Sequence, residues 1–195
     1  MIFSYEPGQT PIDAAEAEAL LPPLTTQAEL NEWEEQNIIG GRHWAFSKRV
    51  LNKAEPLSER FLLELHRRMF DGTWKWAGKI RTRDKNMGVS FHKIRVCLRE
   101  LLDDTRYWRD NRTYGLDEFA MRFHHRLVQI HLFQNGNGRH ARLAADVIAR
   151  MNGQPDFTWG SVNLVRPGED RAAYLDAIHA ADDGDYQPLI KFSRS

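Results

Sequence analysis

At 195 residues the chain suits one medium-sized domain with a short extension, long enough for a single sizeable core. Its 27 basic and 27 acidic side chains cancel, which argues against a protein that coats nucleic acid or lies on an anionic membrane. The one cysteine permits no internal disulfide, and no apolar run approaches the roughly 18 residues of a membrane-spanning helix.

Residues 1–24 carry Pro and Ala with little amphipathic period and read as an N-terminal arm. Met1 to Pro7 show no basic region followed by an apolar stretch, so a soluble, cytoplasmic protein is expected. Thr26-x-x-Glu29 has the form of a capping box and opens a helix at about 26–38. Helical patterns follow at about 42–52 and 58–70, the second started by Ser58.

The pattern then breaks from Thr82 to His92, where Asp84-Lys85-Asn86-Met87-Gly88 separates two short non-helical pieces, as in a hairpin with a central turn. Lys79, Arg81, Arg83 and Lys85 make this stretch basic, which a solvated charge run would equally explain. Helical period resumes at about 93–109, 116–132, 138–152, 169–182 and 187–193, with Glu169 or Asp170 as a start signal. Cys97 keeps helical spacing with Ile94, Leu98, Leu101, Leu102 and Thr105 and reads as a buried core thiol. Trp44, Phe46, Phe61 and Trp108 read as packing between helices. The fold class is all-α.

The chemistry concentrates between His131 and Arg142. Phe119, Ala120, Phe123, Leu127 and Ile130 form one apolar stripe arriving at His131, and Leu143, Ala144, Val147, Ile148 and Met151 form another that stops at Asn152-Gly153. Between them, Asn135 to Gly138 alternate the two residue types that most readily take positive φ and let backbone N–H groups converge on an anion. The turn thus delivers a helix N-terminus, where unpaired N–H groups favour a negative charge by roughly 0.3–1 kcal/mol.

Arg139 and Arg142 stand in the first turn of that helix, where a cation opposes the macrodipole. A ligand with several negative charges between the two guanidinium forks would account for both. His131, with an ordinary imidazole pKa of about 6.5, is the candidate general base for an incoming hydroxyl. Gly136-x-Gly138-x-x-Ala141 formally matches a dinucleotide fingerprint, but that motif follows a strand and here a helical pattern precedes it. G-x-x-x-x-G-K-S/T, H-E-x-x-H and Cys-rich zinc spacings are all absent from the sequence.

The segment from His131 to Arg142 resembles the signature of the Fic/Doc family, H-x-F-x-D/E-G-N-G-R-x-x-R, at every fixed position but one. The likeness extends to Leu65–Phe70, Trp76–Arg81 and Thr82–Ile94 and covers about residues 25–192. It implies a Fic-type helical bundle over 25–195, with its core at about 58–182 and a small β-hairpin flap beside the active-site loop. The implied activity is transfer of AMP from ATP to a Ser, Thr or Tyr hydroxyl of a target protein, with Mg²⁺ or Mn²⁺ on the phosphates.

In such proteins His131 would take the hydroxyl proton and Asn137 would orient the α-phosphate. Gly136 and Gly138 would shape the anion hole, Arg139 and Arg142 would hold the β- and γ-phosphates, and Phe133 would pack inward. The flap residues Thr82, Asp84, Lys85, Asn86, Met87 and Gly88 would position the target as an added strand.

The departure is Asn135, standing where the family has the acid that coordinates the metal. A neutral amide is a weaker magnesium ligand, although its carbonyl can coordinate alongside waters and substrate phosphates. This substitution keeps open a weakened, nucleotide-binding regulatory module, or transfer of another phosphate-containing group. The Asn135–Leu143 form and Thr25–Trp33 look most like the branch called mobile mystery protein B, which implies a helix-turn-helix, antitoxin-like partner. Many relatives are silenced by S/T-x-x-x-E-G/N; Thr25-x-x-x-Glu29 fits in part, with Leu30 where Gly or Asn belongs, so Glu29 is a candidate inhibitory residue as well as a capping one.

Overall fold

A computed structural model describes residues 17–52, 57–160 and 169–195. The first sixteen residues of the expected arm, with the Met1–Pro7 stretch, lie outside the described residues, as do the side chains of Glu169 and Asp170. The helices are α1 (Gln27–Ala45), α2 (Lys48–Leu51), α3 (Glu59–Phe70), α4 (Ile94–Asp110), α5 (Leu116–Ile130), α6 (Asn137–Met151), α7 (Glu169–Asp182) and α8 (Gln187–Ser193), with a 3₁₀ turn at Phe91–Lys93 leading into α4.

The capping box forms: the Thr26 hydroxyl accepts the Glu29 N–H while the Glu29 carboxylate accepts the Thr26 N–H. Helix α1 then runs on through Gly40 and Gly41 to Ala45, where the sequence pattern suggested two helices with a break between them. The reason is packing. A Cβ on Gly41 would lie 3.0 Å from the Met69 Cα, so glycine here lets α1 press its backbone against α3 and is not a stop signal. Ser58 caps α3 as expected, accepting the Phe61 N–H at 3.2 Å.

Helices α5 and α6 form the centre, packed on each other along their length. Ala120, Phe123, Leu127 and Ile130 of α5 meet Ala141, Ala144, Ala145 and Ile148 of α6, all buried. Small residues let the two backbones approach, while each fully buried Leu, Ile or Phe contributes roughly 1.5–3 kcal/mol. α1 and α3 cover one flank, α4 packs against α5, and α7 with α8 close the other side. Cys97 faces outward enough to be half-buried, not a core thiol. Among the described residues no helix is long and apolar enough to cross a membrane.

The flap is where the structure departs from the paired strands expected over 82–92. Among the described residues the strand-like pairing is one isolated bridge, Leu20 with Trp74, where the end of the arm lies along the chain. Residues 82–90 form an irregular loop. Its carbonyls are taken by a side chain instead of a partner strand: the buried Arg81 guanidinium donates to the Arg83 carbonyl at 2.8 Å and to that of Val89. The Asp84 carboxylate accepts the Phe91 N–H at 2.8 Å and closes the far end. Those bonds hold a loop without a ladder.

Candidate active site

The α5–α6 connection is braced from within. Phe133 is fully buried and stacks on His66, with ring centroids 3.6 Å apart, and meets His140 edge-on at 5.0 Å. The Asn137 side chain accepts the Phe133 N–H and donates to the Phe133 carbonyl, both at 2.9 Å. That amide is engaged in closing the loop, not extended toward a ligand. Gly136 adopts φ 77°, and a Cβ there would lie 2.6 Å from the Phe70 ring, so both conformation and space require glycine. Around Gly138 the space is open.

His131 caps α5 in the left-handed region, at φ 57° and ψ 66°. A non-glycine residue there stores about 1–2 kcal/mol of strain, which surrounding contacts must offset. Arg81 supplies them: its Nε donates to the His131 carbonyl at 2.7 Å and its backbone N–H to the Leu132 carbonyl at 2.9 Å. The imidazole is 4 % exposed, and the flap lies on it so closely that a Cβ on Gly88 would come within 2.4 Å of the His131 Cβ. Burial first, then the positive charges of Arg81 and Lys85, pull the His131 pKa down to about 4. At neutral pH the ring is therefore unprotonated.

The two arginines are both engaged within the protein. The Arg139 guanidinium donates to Glu34 Oε2 at 2.7 Å and lies 5.0 Å over the Phe70 ring. Glu34 comes from α1, is buried, and also accepts the Trp74 indole N–H at 2.7 Å. Arg142 lies 4.2 Å over Tyr174 of α7 and 5.6 Å over Trp159, and its Nε is buried without a hydrogen-bond partner among the described residues. Trp159 is held by the buried Asp146, which accepts its indole N–H at 3.0 Å.

The structure thus brings His131, Gly136, Asn137, Gly138, Arg139 and Arg142 to one helix junction, with Lys85 and Gly88 of the flap above His131. Asn135 Oδ1 accepts the Gly136 N–H at 2.6 Å. Glu29 stays apart: its carboxylate accepts from the Thr25 N–H, the Thr25 hydroxyl and the Thr26 N–H, and these bonds lower its pKa to about 2. The acid that reaches a signature arginine is Glu34, at Arg139, one that the motif pattern passes over. The supporting roles of Glu34, His66, Arg81, Trp159 and Tyr174 escape a reading of the sequence because each lies outside the 131–142 segment it supports and is brought there by the fold.

Residues 56–149 match the model of the Fic/DOC family. The protein adenylyltransferase fic-1 of Caenorhabditis briggsae is 34% identical over 136 residues, 67% of this chain and 25% of that protein. That of Caenorhabditis elegans is 33% identical over 138 residues, with the same shares. Among solved structures, Fic-1 from C. elegans superposes with a TM-score of 0.61 at 28% identity, covering 92% of this chain and 51% of that one. The N-terminal Fic domain from Bartonella quintana gives 0.69 at 16% identity, covering 92% and 91%.

This chain carries a Fic/DOC family domain, with the family's helical fold. It spans about a quarter of the length of the curated relatives it matches.

Proposed function

We propose that the domain transfers AMP from ATP to a hydroxyl side chain of a target protein. The observation that carries this is the unprotonated His131, held against its backbone strain at the mouth of a helix N-terminus flanked by Arg139 and Arg142. The hydroxyl oxygen attacks the α-phosphorus, its proton passes to the imidazole, and the bond to pyrophosphate breaks. The helix N-terminus and the two guanidinium groups face the departing charge. The adenylyltransferase relatives support this reading over the matched segment.

His131 lies under the flap, so the target must displace the loop around Gly88; the absence of a ladder there lets it yield. The residues present do not fit a protein-built Mg²⁺ site: Asn135 brings no carboxylate, its amide oxygen is turned onto Gly136, and no cluster of His, Cys, Asp or Glu suited to a metal occurs among the described residues. Mg²⁺ or Mn²⁺ enters the proposal as a companion of the triphosphate. A helix-turn-helix, antitoxin-like partner belongs to the same proposal, on the resemblance of Thr25–Trp33 and Asn135–Leu143 alone.

A second reading, a nucleotide-binding regulatory module, is favoured by Asn135 and by Glu34, which occupies Arg139. One assay separates them: α-labelled and γ-labelled ATP with candidate target proteins, alongside His131→Ala. Transfer of α label, lost at least a hundredfold in the variant, supports adenylyl transfer; that is roughly the contribution of a general base. Transfer of γ label, or ATP binding without transfer, overturns it.

A further inference from the structure

We propose that His66 is a positioning residue for the phosphate-facing loop, its ring pinning the Asn135 carbonyl inward so that the peptide that follows presents its N–H outward. The inference rests on the proposed role of this loop in binding a triphosphate.

His66 lies on α3 and is fully buried. Its Nδ1 sits 3.0 Å from the backbone nitrogen of Gly78, and its Nε2 sits 3.1 Å from the Asn135 carbonyl oxygen. A backbone N–H can only donate, so Nδ1 bears the lone pair and the proton of the neutral ring is on Nε2, aimed at Asn135. The two partners thus fix the tautomer. Burial, then the proximity of His140 and of Arg139, holds the ring well below the usual imidazole range and keeps it neutral. A second proton on Nδ1 would face the Gly78 N–H, donor against donor.

The ring has no freedom to turn, being stacked on Phe133 at 3.6 Å and tilted against Phe70 at 4.7 Å. Its two anchors also have little room. Gly78 adopts φ 73°, where a Cβ would lie 2.8 Å from the Arg67 Cβ. The chain contains no cis peptide among the described residues, so a trans 135–136 unit with its carbonyl turned to His66 directs the Gly136 N–H to the opposite side, where the Asn135 Oδ1 accepts it at 2.6 Å and a phosphate oxygen would take that oxygen's place. One imidazole therefore joins the phosphate-facing loop to Gly78, three residues before the arginine that holds His131.

The test uses the full chain and four variants. Nitrogen-15 NMR of the imidazole should show the Nε2–H form at pH 7 and no protonation at pH 5; an Nδ1–H form, or titration near pH 6.5, overturns the proposal without reference to any ligand. Binding of a fluorescent ATP analogue should weaken roughly tenfold in His66→Ala, as expected when one buried hydrogen bond is lost, with backbone amide shifts moving at Gly136 and Gly138. His66→Gln, whose amide nitrogen can donate from near the Nε2 position, should bind within about threefold of the parent, and His66→Asn, which is shorter, should behave like His66→Ala. If His66→Ala does not fold, equal affinities in the Gln and Asn variants overturn the proposal. Parent-like binding in a folded His66→Ala does the same. His131→Ala should keep ATP affinity and lose transfer: if transfer persists, the adenylyl-transfer reading fails while the His66 result stands, and if the parent binds no ATP, both fail.

Discussion

The α5–α6 junction and the flap face each other across His131, yet they are held by opposite means. At the junction Phe133, Asn137, Gly136 and Phe70 interlock with two buried histidines, and Asn137 and His140 are matched locally, by the Phe133 backbone and the Leu62 carbonyl. The flap hangs from one guanidinium and one carboxylate, with most of its side chains in solvent. A close-packed region has essentially one arrangement, whereas a loop tied at two points can shift at modest cost. That division suits the proposed transfer, in which the nucleotide would always offer the same phosphates while the protein target would not.

Acid should expose the contrast most strongly. His66, His124, His131 and His140 are all buried with lowered pKa values, to about 3 for His124 and about 4 for His131 and His140, in each case chiefly through burial. In the unfolded chain each titrates near 6.5, so below that pH the unfolded state binds more protons and stability falls as pH falls. From pH 7 to 5.5 the expected loss is about 5 kcal/mol for the four rings together, spread evenly over them. Melting temperature against pH measures the total. Hydrogen exchange locates it: amides at 133–138 should lose protection while those at 82–90 remain weakly protected throughout. A melting temperature flat from pH 7 to 5.5 would show that these rings are not held neutral.

A matched pair of glycine substitutions sharpens the same comparison. Gly136→Ala adds a left-handed alanine and drives a methyl into Phe70, with an expected cost of about 3 kcal/mol in urea unfolding. Gly88→Ala suffers a comparable backbone penalty and a contact of 2.4 Å with His131, but the flap can move aside, so the expected cost is about 1–2 kcal/mol. Equal losses at the two positions would mean that the flap is as rigid as the junction.

The sequence displays the junction far better than the flap, for a physical reason. A helix announces itself through period and caps, so Ser58, Thr26 with Glu29, and the apolar stripes on either side of His131 place α3, the start of α1, α5 and α6 almost to the residue. Gly136 marks the turn because few other residues accept its backbone. By contrast, the fusion of α1 through Gly40-Gly41 depends on Met69, a contact from another helix that no local pattern encodes. The flap reads as two short non-helical pieces about a turn, but a strand needs a partner, and Arg81 takes the Arg83 and Val89 carbonyls first. The partners of the two signature arginines, Glu34 on one side and Trp159 with Tyr174 on the other, are brought in by tertiary packing and leave no mark at motif spacing.

Glu34 gives the smallest effect and the most direct reading of Arg139. Its carboxylate is nearly buried while the arginine side chain is 40% exposed, so the pair is only partly desolvated and worth on the order of 1 kcal/mol. A triphosphate that uses Arg139 must compete with that carboxylate. Glu34→Gln removes the charge but keeps an oxygen for the Trp74 indole N–H, so the fold should hold and ATP affinity should rise about fivefold, the equivalent of that energy. The contrasting variant is Glu29→Gln, which weakens the cap of α1 far from the arginines and should leave ATP affinity and transfer unchanged. Titration of a fluorescent ATP analogue into both proteins decides the matter: a gain in the Glu29 variant would move the inhibitory role to the cap, and no gain in the Glu34 variant would mean that Arg139 does not meet the phosphates.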